Sequence, residues 1–405
     1  MLTRLLALAA CTTLVASSAA QSLADVVGPR EAGQQAIVRG VLDGSRTAVF
    51  DTAKDSCELI DIPDAPARAF RDYLGTVHLV ASHYVLRQNI GPSLDAVKHD
   101  CRVDFNSAHD PFPADFNDAT WLDSFYSLDG KSVVALGHME YHGWEHLGMC
   151  RSPDDSACWY NADTFLLSDD GGYRFASFKA PANFVVGLPY RYEVDEGPEG
   201  YSVDTNIVKD GRWYYAVATD WPWPPGCYTT GTSTCVVPFG GSPIRTSNIL
   251  DVTSWRGWNG KTFSVSFVDP YLKPVEDPSA HVYTPVPYMY YVNAINILEP
   301  SHLFVATLWD PFNTAYGPRG LYLSTSTNLV DWQPPTLVVT QAQLRAREPK
   351  GNWSFAYFSL LDPRSGDANF STIGDHPDLY YVRLDNNHPP YVRVLFRQGI
   401  DLTLR

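Results

Sequence analysis

The chain has 405 residues, 13% of them aromatic, and a formal net charge of −15 at pH 7. Its length supplies a sizeable core and exceeds that of most single β-sandwiches. The acidic balance excludes nucleic acid and anionic membrane surfaces as partners, since both need a basic face.

Residues 1–20 predict a secretory signal peptide: a lone Arg4, an apolar run, then small residues with cleavage after Ala20. A lipid-anchored N-terminus at Cys11, preceded by Leu8-Ala9-Ala10, is the alternative reading. No later apolar run is long enough to span a bilayer. The expectation is an exported, soluble monomer, secreted or periplasmic. Beyond Cys11 the cysteines are Cys57, Cys101, Cys150, Cys158, Cys227 and Cys235. An even set in an exported chain points to disulfides. Proximity in sequence pairs Cys150 with Cys158 and Cys227 with Cys235, which leaves Cys57 for Cys101. Zinc is the rival use of these thiols, but no CxxC pair is present.

Residues 21–36 form a polar lead-in, and from Ile37 the chain is a succession of short β-type runs broken by Gly, Pro, Asn and Asp. LRAREPK (344–350) supports one or two helical turns at most. A turn followed by an apolar strand recurs. Leu74-Gly75 leads into TVHLVASHY, Asp129-Gly130 into KSVVALGHMEY, Asp210-Gly211 into RWYYAVATDW, and Pro300-Ser301 into HLFVATLWD. SFAYFSLLDP followed by DLYYVRLD makes a fifth unit. Three units carry a second signature, a Ser/Thr-bearing strand turning towards an aromatic: TFLLSDDGGYRF, IRTSNILDVTSWRGW and LYLSTSTNLVDWQPP. Repetition at tens of residues per unit predicts blades around an axis, hence an all-β, five-bladed β-propeller occupying residues 21–405 as a single domain. A sandwich of this length would split in two, and a β-helix would show shorter, stricter coils.

The densest chemistry lies in GHMEYHGWEHLG (137–148), which gathers Glu140, Glu145, His138, His142, His146 and Trp144. Strand alternation puts His138, Glu140 and His142 on one face. In a propeller the first strand of each blade starts at the face where the second strand ends. Asp64, ahead of the first inner strand, and Glu140, near the end of the second strand of blade two, therefore converge on one pocket. His83, Asp220, Trp221, Trp309 and Asp310 belong to the same rim. Asp72, in RDYLG, falls at a turn on the opposite face.

The turn-strand units, the outer-strand motif ending in Trp (TSWRGW, TNLVDW) and the SLLDP segment resemble five-bladed glycoside hydrolases of the arabinanase, β-xylosidase and levansucrase type. The resemblance covers the architecture of residues 60–385. It implies an acidic residue opening the innermost strand of blade one, matched here by Asp64, and a glutamate general acid, matched by Glu140. A further aspartate would tune or orient that acid. Glu140 falls in blade two, whereas these families usually take the acid from blade three, and no Arg-Asp-Pro or Glu-Cys signature is present.

Glycosidic cleavage uses two carboxyl groups across the bond, one protonating the leaving oxygen, the other attacking the anomeric carbon or activating water. The expectation is a secreted glycosidase on an arabinan-, xylan- or fructan-type poly- or oligosaccharide, with Asp64 as base or nucleophile and Glu140 as acid. Arg68 offers a planar fork for a carboxylate or a sugar hydroxyl. His83, His138, Asp204 and Asn206 are placed to bind substrate or tune the acid, and Trp144 and Trp221 to stack on sugar rings. No cofactor is called for, although a structural Ca²⁺ in the axis is compatible with this reading. The alternatives are a non-catalytic, lectin-like carbohydrate-binding propeller and a metal-dependent hydrolase at His138, Glu140 and His142. There is no GxSxG elbow, P-loop or dinucleotide fingerprint.

Overall fold

The computed structural model describes residues 36–202, 205–221, 228–229, 232–233, 240–273, 275, 291–310, 317–388 and 392–405, with strand but not side-chain placement at 220–221, 228–229 and 232–233. Residues 1–35, with the expected signal sequence, lie outside the described residues.

Five blades follow one another along the chain. Blade one is a four-stranded meander of Arg68–Arg71, Val77–Val80, Val85–Gly91 and Lys98–Asn106. Blade two comprises Ala119–Ser127, Val133–His142 and Trp159–Ser168, with short outer pieces at Ala176–Ser177 and Phe184–Val186. In blade three the inner strand comes in two segments, Glu199–Ser202 and Val208–Asp210, both paired to Trp213–Trp221; outside it lie Gly240–Thr246, Arg256–Trp258 and Phe263–Ser266. Blade four runs Val292–Leu298, Leu303–Asp310, Gly320–Ser326 and Thr336–Thr340. Blade five contains Trp353–Leu361, Asp378–Asp385 and Arg393–Leu404, and its outer edge is supplied from the other end of the chain by Val38–Leu42 and Thr47–Asp51. The last blade is thus completed by the first described strands, which closes the ring. The fold is a five-bladed β-propeller.

Each blade is covered on both faces by its neighbours, so its middle strands read as near-continuous apolar runs rather than alternating ones. VVAL in blade two and LFVATL in blade four are buried throughout. The core accordingly falls into five clusters, one at each blade junction. Phe70, Leu86, Leu122 and Phe125 join blades one and two, and Tyr141, Tyr160, Tyr201 and Trp255 join two and three. Val217, Ile295 and Phe304 join three and four, and Val305, Leu321, Phe355 and Tyr381 join four and five. Ala69, Leu79, Tyr380 and Leu395 join blade five back to one.

Local chemistry explains both repeated signatures. In the first, Asp72 Oδ1 accepts from the N–H groups of Leu74 and Thr76, both at 2.8 Å, and Asp129 Oδ1 accepts from Lys131 and Ser132 at 3.0 and 2.6 Å. Asp72 therefore has the turn role expected of it. In the second, a hydroxyl at the end of the third strand caps the following turn: Ser168 accepts from Gly172 N–H, Thr246 from Asn248, and Ser326 from Leu329. The short helix Gln341–Arg345 begins three residues ahead of the LRAREPK stretch, started by a capping box of Thr340 and Gln343.

Candidate active site

Inner strands begin, and second strands end, at one face of the ring, where all five blades wall a cavity of about 370 Å³. Asp64 and Pro66 come from blade one, and Trp121, Asp123, His138 and Glu140 from the first two strands of blade two. Blade three gives Ser202 and Thr219, blade four Tyr291, Asn293 and Trp309, and blade five Tyr357.

Asp64 lies in the lead-in to blade one, where its N–H donates to Ala81 O at 3.0 Å and holds the segment beside the second strand. Its side chain meets partners from four other segments of the chain. Oδ1 accepts from the Tyr357 hydroxyl at 2.9 Å and from the Arg393 guanidinium, and Oδ2 accepts from Trp121 Nε1 at 3.2 Å with His83 Nε2 at 3.4 Å. Burial, aided by the charge of Arg393, pulls the His83 imidazole down to about 4 even though the charges of Asp64 and Glu140 oppose the shift. His83 is therefore neutral at neutral pH. Tyr357 reaches Asp64 from a residue with φ +60°, at a bulge where the strand register slips between Ala356 and Ser359. Tyr291, another cavity residue, has φ +44° next to a slip between Val292 and Ala294. Non-glycine residues seldom adopt such angles, and strain of this kind collects at working sites.

Glu140 faces the cavity from the second strand of blade two, paired with Ala119 and Asn161. Its two oxygens take different imidazoles: Oε2 lies 2.9 Å from His142 Nε2, and Oε1 lies 3.5 Å from His138 Nε2. Behind His138, Asp123 Oδ2 stands 3.8 Å from Nδ1. Behind His142, Glu145 Oε1 lies 3.3 Å from Nδ1, and the Trp144 ring stacks at 4.3 Å. Burial by itself would lower the His142 pKa, but the bond to Glu140 and the charges of Glu140, Glu145 and Asp118 raise it above the ordinary imidazole value. A carboxylate only accepts, so across this contact His142 Nε2 donates to Glu140.

The structure brings Asp64, His83, His138 and Glu140 together. It places other predicted residues elsewhere. Arg68 stands behind the cavity wall, 3% exposed, donating to the carbonyl oxygens of Ala67, Asp123 and Asn293 at 3.2, 2.8 and 2.6 Å, so it braces three blades rather than facing a sugar. Asn206 belongs to blade three, whose inner strand begins at Glu199. It lies between that strand's two segments, and its amide exchanges bonds of 2.7 and 3.0 Å with the Ile295 backbone of blade four. Trp144 backs His142 instead of lining the cavity. Asp204 and the side chain of Trp221 lie outside the described residues, as do Cys227 and Cys235. Disulfides join Cys57 to Cys101 and Cys150 to Cys158.

Sequence reasoning missed Asp123, Trp121, Tyr357 and Arg393. The first two carry a legible signal: Trp121 and Asp123 alternate on a strand paired with GHMEY, so they point with His138. Nothing local marks Tyr357 or Arg393.

No protein-family model matches the chain, and no curated protein matches it. Solved structures do share its backbone path. The catalytic domain of Coprinopsis cinerea GH62 α-L-arabinofuranosidase aligns at 11% identity over 89% of this chain and 97% of that one, with a TM-score of 0.47. Cellvibrio cellulosa α-L-arabinanase complexed with arabinohexaose aligns at 12% identity over 84% and 91%, TM-score 0.41. Bombyx mori GH32 β-fructofuranosidase in complex with sucrose aligns at 10% identity over 84% and 61%, TM-score 0.43. These are likenesses of chain path, and what the cavity can do follows from its own side chains.

Proposed function

We propose that the protein is a secreted glycoside hydrolase acting on a poly- or oligosaccharide of the arabinan, xylan or fructan type. The observation that carries this reading is that Asp64 and Glu140, from separate blades, line one cavity whose volume falls within the ~300–1,000 Å³ of small-ligand sites. Trp121, Trp309 and Tyr291 offer ring faces to the apolar side of a sugar, and Asn161, Asn293, Ser202 and Thr219 offer partners for its hydroxyls.

The two carboxyl groups have different company. Every neighbour bonded to Asp64 is a donor, so its oxygens are presented as acceptors, as a base or nucleophile requires. Glu140 sits among titratable groups. When it gives its proton to the leaving glycosidic oxygen, the carboxylate left behind accepts from His142 Nε2, which stabilises the product of the transfer. Asp123 takes the place of the third, orienting carboxylate, reaching Glu140 through His138. The two disulfides support an oxidising destination, in keeping with the signal peptide reading of residues 1–20.

The test is turnover on arabinan, xylan and fructan polymers together with binding of their oligosaccharides. Glu140→Gln and Asp64→Asn should each lower kcat by ~10²–10⁴-fold, with Glu140→Gln still binding sugar. Unchanged kcat in either variant disposes of that residue's role. A wild-type protein that binds glycan and releases no reducing ends would be the lectin-like propeller instead.

A further inference from the structure

A second cluster of ligating groups lies on the rim of blade two, among residues the cavity does not use. Asp118, just ahead of the inner strand of that blade, is 1% exposed. Its Oδ2 is taken twice, by the His142 N–H at 2.9 Å and by His146 Nε2 at 2.8 Å. Its Oδ1 is buried and has no hydrogen-bond partner, a costly state for a carboxylate oxygen. That oxygen faces His109 Nδ1 at 3.7 Å. Glu145 is divided in the same manner: Oε1 lies on His142 Nδ1 at 3.3 Å, while Oε2 lies 3.8 Å from the same His109 Nδ1. His109 arrives there with φ +53°, unusual for a non-glycine residue.

From this arrangement we propose that His109 Nδ1, Asp118 Oδ1 and Glu145 Oε2 form a binding site for one divalent cation of the Zn²⁺ class. The three atoms lie within 4.8 Å of one another. The separations of 3.7 and 3.8 Å are too long for hydrogen bonds, yet only a few tenths of an ångström wider than the ~3.4 Å edge of a tetrahedron with ~2.1 Å metal–ligand bonds. An imidazole beside two carboxylates selects against Ca²⁺, which takes six to eight oxygens, and in favour of a first-row ion that accepts nitrogen. The Asp118 side chain is fixed by its Oδ2 bonds, whereas those of His109 and Glu145 are 39% and 44% exposed, so the ion enters from solvent and the two outer ligands close on it. The bound cation ties the segment around His109 to the turn that carries Glu145 and so steadies His142. The site does not depend on the sugar-cleaving reading.

The experiment uses the full chain stripped with a chelator and then dialysed against Zn²⁺, with bound metal counted by mass spectrometry and melting followed with and without the ion. One Zn²⁺ per chain and a Zn²⁺-dependent rise in Tm are expected, with Ca²⁺ in excess failing to displace it. His109→Ala and Glu145→Gln, both at exposed positions that leave the core intact, should each weaken binding at least tenfold and abolish the Tm rise. A wild-type chain that retains no Zn²⁺, displacement by Ca²⁺, or a His109→Ala variant that binds as tightly as wild type overturns the proposal.

Discussion

Asp64 is surrounded by partners from near and far along the chain: His83 and Trp121 on one side, Tyr357 and Arg393 on the other. One of them carries a measurable signature. His83 has a folded pKa of about 4 against 6.5 in the unfolded chain. Between those values the unfolded state binds more protons, so the stability this group contributes is complete above pH 6.5 and lost as pH falls towards 4. The full effect is on the order of 3 kcal/mol. Asp104, raised to about 6 by burial, works in the opposite direction over the same window, so the comparison must be between wild type and a His83→Asn variant, in which the Asp104 part cancels. Chemical denaturation at pH 7 and pH 4.5 should show wild type losing more stability on acidification than the variant. Equal losses would mean that the ring is not held neutral. At this scale the sequence displayed Asp64, His83, His138 and Glu140, because turn-and-strand register alone decides which strand ends share a face. It did not display Arg393, whose alternation in YVRVLF is that of any half-buried strand. Nor did it display Tyr357, whose inward aim depends on a bulge that no residue pattern announces.

Among the elements, the joint between blades two and three is closely packed beside the cavity. Glu199 and Gly200 pair in parallel with Tyr160 and Asn161 and merge the two blades into one sheet. A Cβ on Gly200 would sit 2.3 Å from Asn161 O, and the residue has φ +130°. Gly200→Ala therefore combines a backbone clash with a conformation open only to glycine, and should cost more than ~2 kcal/mol. Because Asn161 lines the cavity, oligosaccharide affinity should fall along with Tm. A variant with wild-type melting would show that the joint can relax. The middle strands were legible as continuous apolar runs. The interrupted inner strand of blade three was not, because SVDTNIV keeps strand composition through the break, and Asn206 replaces a ladder partner with its side-chain amide.

For the molecule as a whole, five recurring turn-strand units sufficed to anticipate five blades, yet not how the ring is fastened. Val38–Leu42 and Thr47–Asp51 read simply as strands in sequence, whereas their partner, Arg393–Leu404, lies at the far end of the chain. A pairing of that span leaves no local mark. Deleting residues 36–51 removes the buried Val38 and Phe50 and bares the edge of the last blade. Two such side chains are worth ~1.5–3 kcal/mol each, a large share of the ~5–15 kcal/mol that holds a domain together. The truncated chain should lose its cooperative melt and become protease-sensitive. A sharp transition near the wild-type temperature would show that the remaining blades close without the clasp. The fastening strand also carries Arg393, which grips Asp64. During synthesis the arginine follows Asp64 by 329 residues, so a nascent chain holds both carboxyl groups long before it holds the counter-charge for one of them. A chain stopped ahead of position 393 therefore lacks that counter-charge and leaves Asp64 with Tyr357, Trp121 and His83 alone of the partners named above.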